Sequence, residues 1–108
     1  MQRNEFHQLV DDYQEFIEEA IDELEEDLDF DNESGTLTIY NPNKSQIIIS
    51  RQSASNQIWI AAKSGGFHFD YDSDKQKWFD DKSGECLDDC VNRVLKEQNE
   101  GEVKINFM

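Results

Sequence analysis

Residues 46–62 read QIIISRQSASNQIWIAA, two alternating runs on either side of the turn material at Ser53 to Asn56. Alternation in a strand sends successive side chains to opposite faces. If Ile47, Ile49, Ile58 and Ile60 point to a core, then Ile48, Ser50, Gln52, Gln57 and Trp59 point away from it. One face of this sheet is apolar, and the other carries amides with a large aromatic among them. A sheet of that kind is covered on one side only.

The same reading extends outward to further short segments. Leu28 to Glu33, Thr36 to Tyr40, Phe67 to Asp72 and Lys77 to Asp80 alternate in the same way, separated by Ser34-Gly35, Asn41 to Lys44, Ser64-Gly65-Gly66 and Asp72 to Lys75. With 46–52 and 57–62 they predict a meander of about six antiparallel strands. Helices flank it. From about residue 4 to 26, Phe6, Leu9, Val10, Tyr13, Phe16, Ile17, Ala20, Ile21 and Leu24 keep the three-four spacing of one buried stripe. Ser83 reads as the cap of a second helix running to about Asn99, with Leu87, Cys90, Val91, Val94 and Leu95 inward and Gly101 just past its end. The tail Val103, Ile105, Phe107 alternates and is expected to lie extended against the helices. The predicted fold is an α+β two-layer sandwich in α-β-α order: two helices on one face of an antiparallel sheet of about six strands, one domain over 1–108.

Leu, Ile, Val and Phe number 26 of 108 residues, enough for a modest core in a highly charged chain. The charge narrows the function. Twenty-five acids against 10 bases give a formal net charge of -15. Nucleic acid and anionic membrane surfaces are excluded as partners, since both are held by Lys and Arg. No window has the length of apolar sequence that spans a bilayer, and the first residues resemble neither a secretion signal nor a transit peptide, so the expected location is the cytoplasm. Cys86 and Cys90 are too few for a disulfide scaffold.

The acids are concentrated. Residues 4–43 hold 14 of them and no Lys or Arg. At about 100° per residue, Asp11, Glu15, Glu18, Glu19, Asp22 and Glu26 fall on the side of the first helix opposite its apolar stripe. Asp27, Asp29, Asp31 and Glu33 follow at period two, which aims them to one side. Two carboxylates about 6 Å apart repel by roughly 0.7 kcal/mol even at the dielectric of water, so cations are drawn to such a strip. Carboxylate oxygens suit hard ions such as Mg, Ca, Mn or iron without selecting among them. An open strip predicts several weak, overlapping sites. His7 lies one turn from Asp11 and is a candidate ligand at its end, a plain surface histidine being the other reading. The Asp27 to Asp31 run is no calcium loop, because Asn32 and Thr38 stand where that loop needs Gly and Glu. There is no nucleophile constellation and no phosphate loop, so no enzyme is expected.

Ile17-Glu18-Glu19-x-x-Asp22, Leu37-Thr38-Ile39, Ile47 through Gln52, Gln57-Ile58-Trp59-Ile60-Ala61, Gly65-Gly66-Phe67-His68-Phe69-Asp70, Trp78 through Asp81 and Ser83-Gly84-Glu85 occur in the order seen in bacterial frataxins. The chain resembles that family over nearly its whole length, with Ser50 where the family shows Asn. The resemblance implies a small non-enzymatic regulator, or iron chaperone, of iron-sulfur cluster assembly. Such a protein binds ferrous and ferric iron weakly on an acidic ridge of first helix and first strand, where other hard divalent cations can substitute. It docks on the cysteine desulfurase and its scaffold complex. On this chain the ridge corresponds to Asp11, Glu15, Glu18, Glu19, Asp22, Glu26, Asp27, Asp29, Asp31 and Glu33, with His7 at its end. The docking surface corresponds to Ser50, Arg51, Gln52, Asn56, Gln57 and Trp59, with His68 beside them. A monomer is expected, with metal-driven oligomers as the open alternative. Two other readings stand beside this one: an acidic mimic occupying a basic nucleic-acid site on another protein, and a generic divalent-cation buffer.

Overall fold

The computed structural model describes residues 1–24, 27–99 and 103–107. The elements are α1 (Arg3–Glu23), β1 (Asp29–Glu33), β2 (Thr36–Tyr40), β3 (Gln46–Gln52), β4 (Gln57–Ala62), β5 (Gly65–Asp72), β6 (Lys77–Asp80) and α2 (Leu87–Asn99). All neighbouring strands are antiparallel, and their spatial order β1 to β6 is their order in the chain. This is the expected six-stranded meander with two helices on one face.

One parity of residues decides that face. Leu37, Ile39, Ile47, Ile49, Ile58, Ile60, Phe69 and Trp78 are buried and form one core with Phe6, Val10, Ile17 and Ile21 of α1 and Leu87, Cys90, Val91, Val94 and Leu95 of α2. Val103 and Ile105 close the core from the extended tail. Asn92 fixes that tail by donating to the Ile105 carbonyl at 2.9 Å and accepting its N–H at 2.8 Å. The two bonds replace the ladder that this segment has no strand to supply.

Several boundaries differ from the sequence reading, the smallest difference being at β1, which starts at Asp29 and not at Leu28. Helix α1 stops at Glu23 instead of about 26, where the Leu24 N–H closes the last turn on the carbonyls of Ala20 and Ile21. Its last turn holds acids and no base, and negative charge is unfavourable at the carbonyl end of a helix. Strand β5 starts at Gly65 because the Gly65–Gly66 pair continues the ladder opposite Ala62 and Ala61. Helix α2 starts at Leu87, and Ser83 does not cap it. Residues 80–84 instead form a turn around Asp80, whose Oδ1 accepts the N–H groups of Lys82 (2.7 Å) and Ser83 (3.0 Å). Cys86 bridges to Phe79 at the sheet edge before its carbonyl accepts the Cys90 N–H, the first bond of the helix.

Candidate functional site

Two surfaces carry the residues singled out in the sequence. The first is the acidic flank of α1 and β1. Asp11, Glu15, Glu19 and Asp22 are exposed on the helix, Glu18 is half-buried beside them, and Asp27, Asp29, Asp31 and Glu33 are exposed on the following segment. Glu26 lies outside the described residues. Helix and strand are joined where Asn32 Nδ2 donates to Glu18 Oε2 at 2.7 Å. Asn32 and Phe30 therefore face α1, and Asp29, Asp31 and Glu33 face the open side of the sheet. The acids thus line both sides of the edge strand instead of forming a single row. Among the described residues, no three His, Cys, Asp or Glu side chains converge as a metal cage.

Arg51 moves to this flank. It was grouped with the open face, but it has the parity of Ile47 and Ile49, so its side chain runs toward α1. Its Nη2 donates to Asp11 Oδ1 at 2.8 Å and to Gln14 Oε1 at 3.0 Å, and its Nε donates to the Gly35 carbonyl at 3.3 Å. Its Nη1 lies 3.0 Å from His7 Nδ1. A guanidinium only donates, so Nδ1 is the acceptor and its lone pair is occupied. This geometry takes His7 Nδ1 away from any cation and neutralises Asp11. The other carboxylates of the strip have no Lys or Arg within ion-pair distance among the described residues.

Gln14 is the hub that the sequence reading missed. It is 2% exposed, and its Nε2 donates to the carbonyls of Gly35 (2.9 Å) and Ile49 (3.0 Å). The signal was positional: Gln14 follows Val10 by four and precedes Ile17 by three, so the helical period demanded burial of a polar side chain. Gly35 pairs with Ser34, at φ of +85° and +54°, in the two-residue turn between β1 and β2. A Cβ on Gly35 would lie 2.9 Å from Arg51 Nε, so glycine serves both the turn and the close approach of the guanidinium.

The second surface is the open face of the sheet. Register aligns Ser50, Trp59 and His68 in one row and Gln52, Gln57 and Asp70 in the next. The Trp59 and His68 rings stack with centroids 4.2 Å apart. Trp59 Nε1 donates to Gln57 Oε1 at 2.9 Å, and Gln57 Nε2 donates to Asp70 Oδ1 and Asp81 Oδ2, both at 3.1 Å. Trp59 is therefore held flat against its neighbours. Asn56 belongs to the β3–β4 turn at a φ of +53°, where its Nδ2 reaches the Met1 carbonyl at 3.4 Å. Beside His68 a cavity of about 530 Å³ opens against Gly66, Asp81, Lys82, Glu85 and Arg93.

A third group was not anticipated. Tyr13 donates to Asp88 Oδ1 at 2.8 Å and Lys77 Nζ to Asp88 Oδ2 at 2.7 Å, tying α1, α2 and β6 together. Burial, and then the Asp88 charge, raise the Tyr13 phenol well above its usual range. Burial pushes the Cys90 thiol up to about 12. Tyr13, Lys77 and Asp88 cross-link the elements, Cys90 is a buried core thiol, and none of the four lies on either surface.

The model of the frataxin-like domain matches residues 1–101. The chain belongs to the frataxin-like family. Among its relatives, the iron-sulfur cluster assembly protein CyaY of Stutzerimonas stutzeri is 50% identical over 93 residues, covering 86% of this chain and 84% of that protein. The protein of the same name in Pseudomonas aeruginosa is 46% identical over 104 residues, 96% of each chain. The solved structure of frataxin from Psychromonas ingrahamii superimposes with a TM-score of 0.89 at 34% identity, covering 99% of this frataxin-like chain and 100% of that one. Among the described residues, no helix is long and apolar enough to cross a membrane.

Proposed function

We propose that this chain is a non-enzymatic partner of iron-sulfur cluster assembly in the cytoplasm. It holds ferrous and ferric iron weakly on the acidic flank and docks on the cysteine desulfurase and its scaffold complex through the open sheet around Trp59. Iron is cargo here, and the chain is assigned no reaction of its own. The name shared by its relatives points to the process.

The observation that carries the reading is the unequal treatment of charge. Asp11 has an internal cation, whereas Glu15, Glu19, Asp22, Asp29, Asp31 and Glu33 stand exposed without a Lys or Arg in ion-pair range among the described residues. Hard oxygen donors spread over a convex surface favour hard cations held loosely, in keeping with iron that must be passed on. Trp59 suits the docking role because a stacked aromatic on an open sheet presents large contact area with little rotamer freedom left to lose. That aromatic patch has no place in a mimic of phosphate spacing.

A pull-down from a bacterial extract with the tagged chain tests the assignment. The wild type recovers a cysteine desulfurase, and Trp59→Arg or joint neutralisation of Glu18, Glu19 and Asp22 reduces recovery by about tenfold or more, the scale of losing one anchor. Undiminished recovery by both variants contradicts the docking surfaces. Binding of iron without recovery of any desulfurase leaves the cation-buffer reading in place of this one.

A further inference from the structure

On the open face of the sheet both ends of the Gln57 amide are engaged. Its Oε1 accepts from Trp59 Nε1 at 2.9 Å and from Ser55 Oγ at 3.2 Å, and its Nε2 donates to Asp70 Oδ1 and Asp81 Oδ2, both at 3.1 Å. A side-chain amide can sit in either of two orientations related by a half-turn, and its partners decide between them. Carboxylates only accept, and an indole N–H only donates. Asp70 and Asp81 therefore draw Nε2 to themselves and leave Oε1 facing Trp59. Turned over, the amide would set N–H against N–H at the indole and oxygen against two carboxylates.

The two acids reach Gln57 by different routes. Asp70 is its directly opposite partner on β5. Asp81 comes from the turn after β6, where its N–H donates to the His68 carbonyl at 2.9 Å. It thus holds both members of the ring stack, His68 through the backbone and Trp59 through Gln57. Among the described residues no Lys or Arg lies within ion-pair distance of Asp70 or Asp81. Two like charges converge on one neutral amide and oppose each other there. What their convergence secures is the direction of that amide.

We propose that Asp81, together with Asp70, is a positioning residue of the docking surface: through Gln57 the pair fixes the Trp59 indole in its stacked orientation on His68, with the indole N–H already satisfied. This role presupposes the docking face proposed above for Trp59 and adds the residues that set its ring in place. A ring held in advance has less freedom to lose when a partner covers it. Neither acid belongs to the flank of α1 and β1, and neither is assigned iron.

The test uses the full chain, isotope-labelled at nitrogen, with the pull-down from bacterial extract run on the same variants. Asp70→Ala with Asp81→Ala removes both acceptors, whereas Asp70→Asn with Asp81→Asn removes the charges and keeps an oxygen at each position. The Trp59 indole signal is the one absent from Trp59→Phe. The Ala pair should speed exchange of that indole N–H with solvent by about fivefold, the scale of one hydrogen bond, and reduce recovery of a cysteine desulfurase by a similar factor. The buried Trp78 indole should be unchanged. The Asn pair should stay within about twofold of the wild type in both readouts. Unchanged Trp59 exchange in the Ala pair overturns the positioning role. An equal loss in the Ala and Asn pairs overturns it too and reduces the acids to charge. Faster exchange with undiminished recovery, where Trp59→Arg loses recovery, overturns it by showing that docking ignores the ring's orientation. A wild type that recovers no desulfurase overturns the docking face itself, while the indole exchange still decides whether the acids hold the ring.

Discussion

Arg51 and Gln14 are worth more to this molecule than the ion pair that first draws the eye. Asp11 is 59% exposed on its side chain, and a pair so open contributes on the order of 0.5 kcal/mol. The Arg51 bonds to Gln14 and the Gly35 carbonyl are shielded from water, and removing one partner strands the other. Arg51→Ala should therefore lower unfolding free energy by about 2 kcal/mol and Asp11→Ala by about 0.5 kcal/mol or less, read from denaturant midpoints with unchanged slopes. Equal effects of the two would show that charge, not the buried bonds, is what Arg51 supplies. Alternation already placed Arg51 with Ile47 and Ile49. The family resemblance grouped it with the open face, and only the buried Gln14, invisible to a search for apolar stripes, explains why the inner face receives it.

At the scale of elements, the strands were legible because each has a period-two pattern and a turn with its own chemistry, and β2, β3, β4 and β6 match residue for residue. The helix ends were harder to read. Apolar spacing continues past Glu23 although the charges there oppose a helix terminus, and Ser83 looks like a cap although Asp80 claims its backbone. The Tyr13–Asp88 link between α1 and α2 was not legible at all, since it pairs residues 75 apart in sequence. It has a consequence at high pH. The Tyr13 and Cys90 pKa values are raised in the folded state, so between pH 9 and about 12 the unfolded chain releases protons that the folded chain retains. Stability then falls with rising pH, by up to about 1.4 kcal/mol per unit for each group fully in its window. Tyr13→Phe should flatten the decline above pH 10 in urea titrations, and profiles parallel to the wild type would refute this linkage.

The whole molecule is organised by where its charge is left uncompensated. Bases are confined to residues 44–108 apart from Arg3, and the ion pairs involving Asp88, Glu85 and Glu97 lie in or beside α2. The acidic flank on α1 and β1 is the part of the surface that a cation relieves most. The sequence showed that excess and its helical face. It could not show that β1 splits its acids from those of α1 across the strand, because that depends on which side Asn32 turns. Titration of the isotope-labelled protein with ferrous iron under anaerobic conditions, following each backbone amide, tests this most directly. The account predicts early paramagnetic broadening at amides from Glu15 to Glu23 and from Asp29 to Glu33, with the amides of α2 left sharp. Broadening that starts at α2 or around Cys86, or that spreads evenly over the chain, would contradict it.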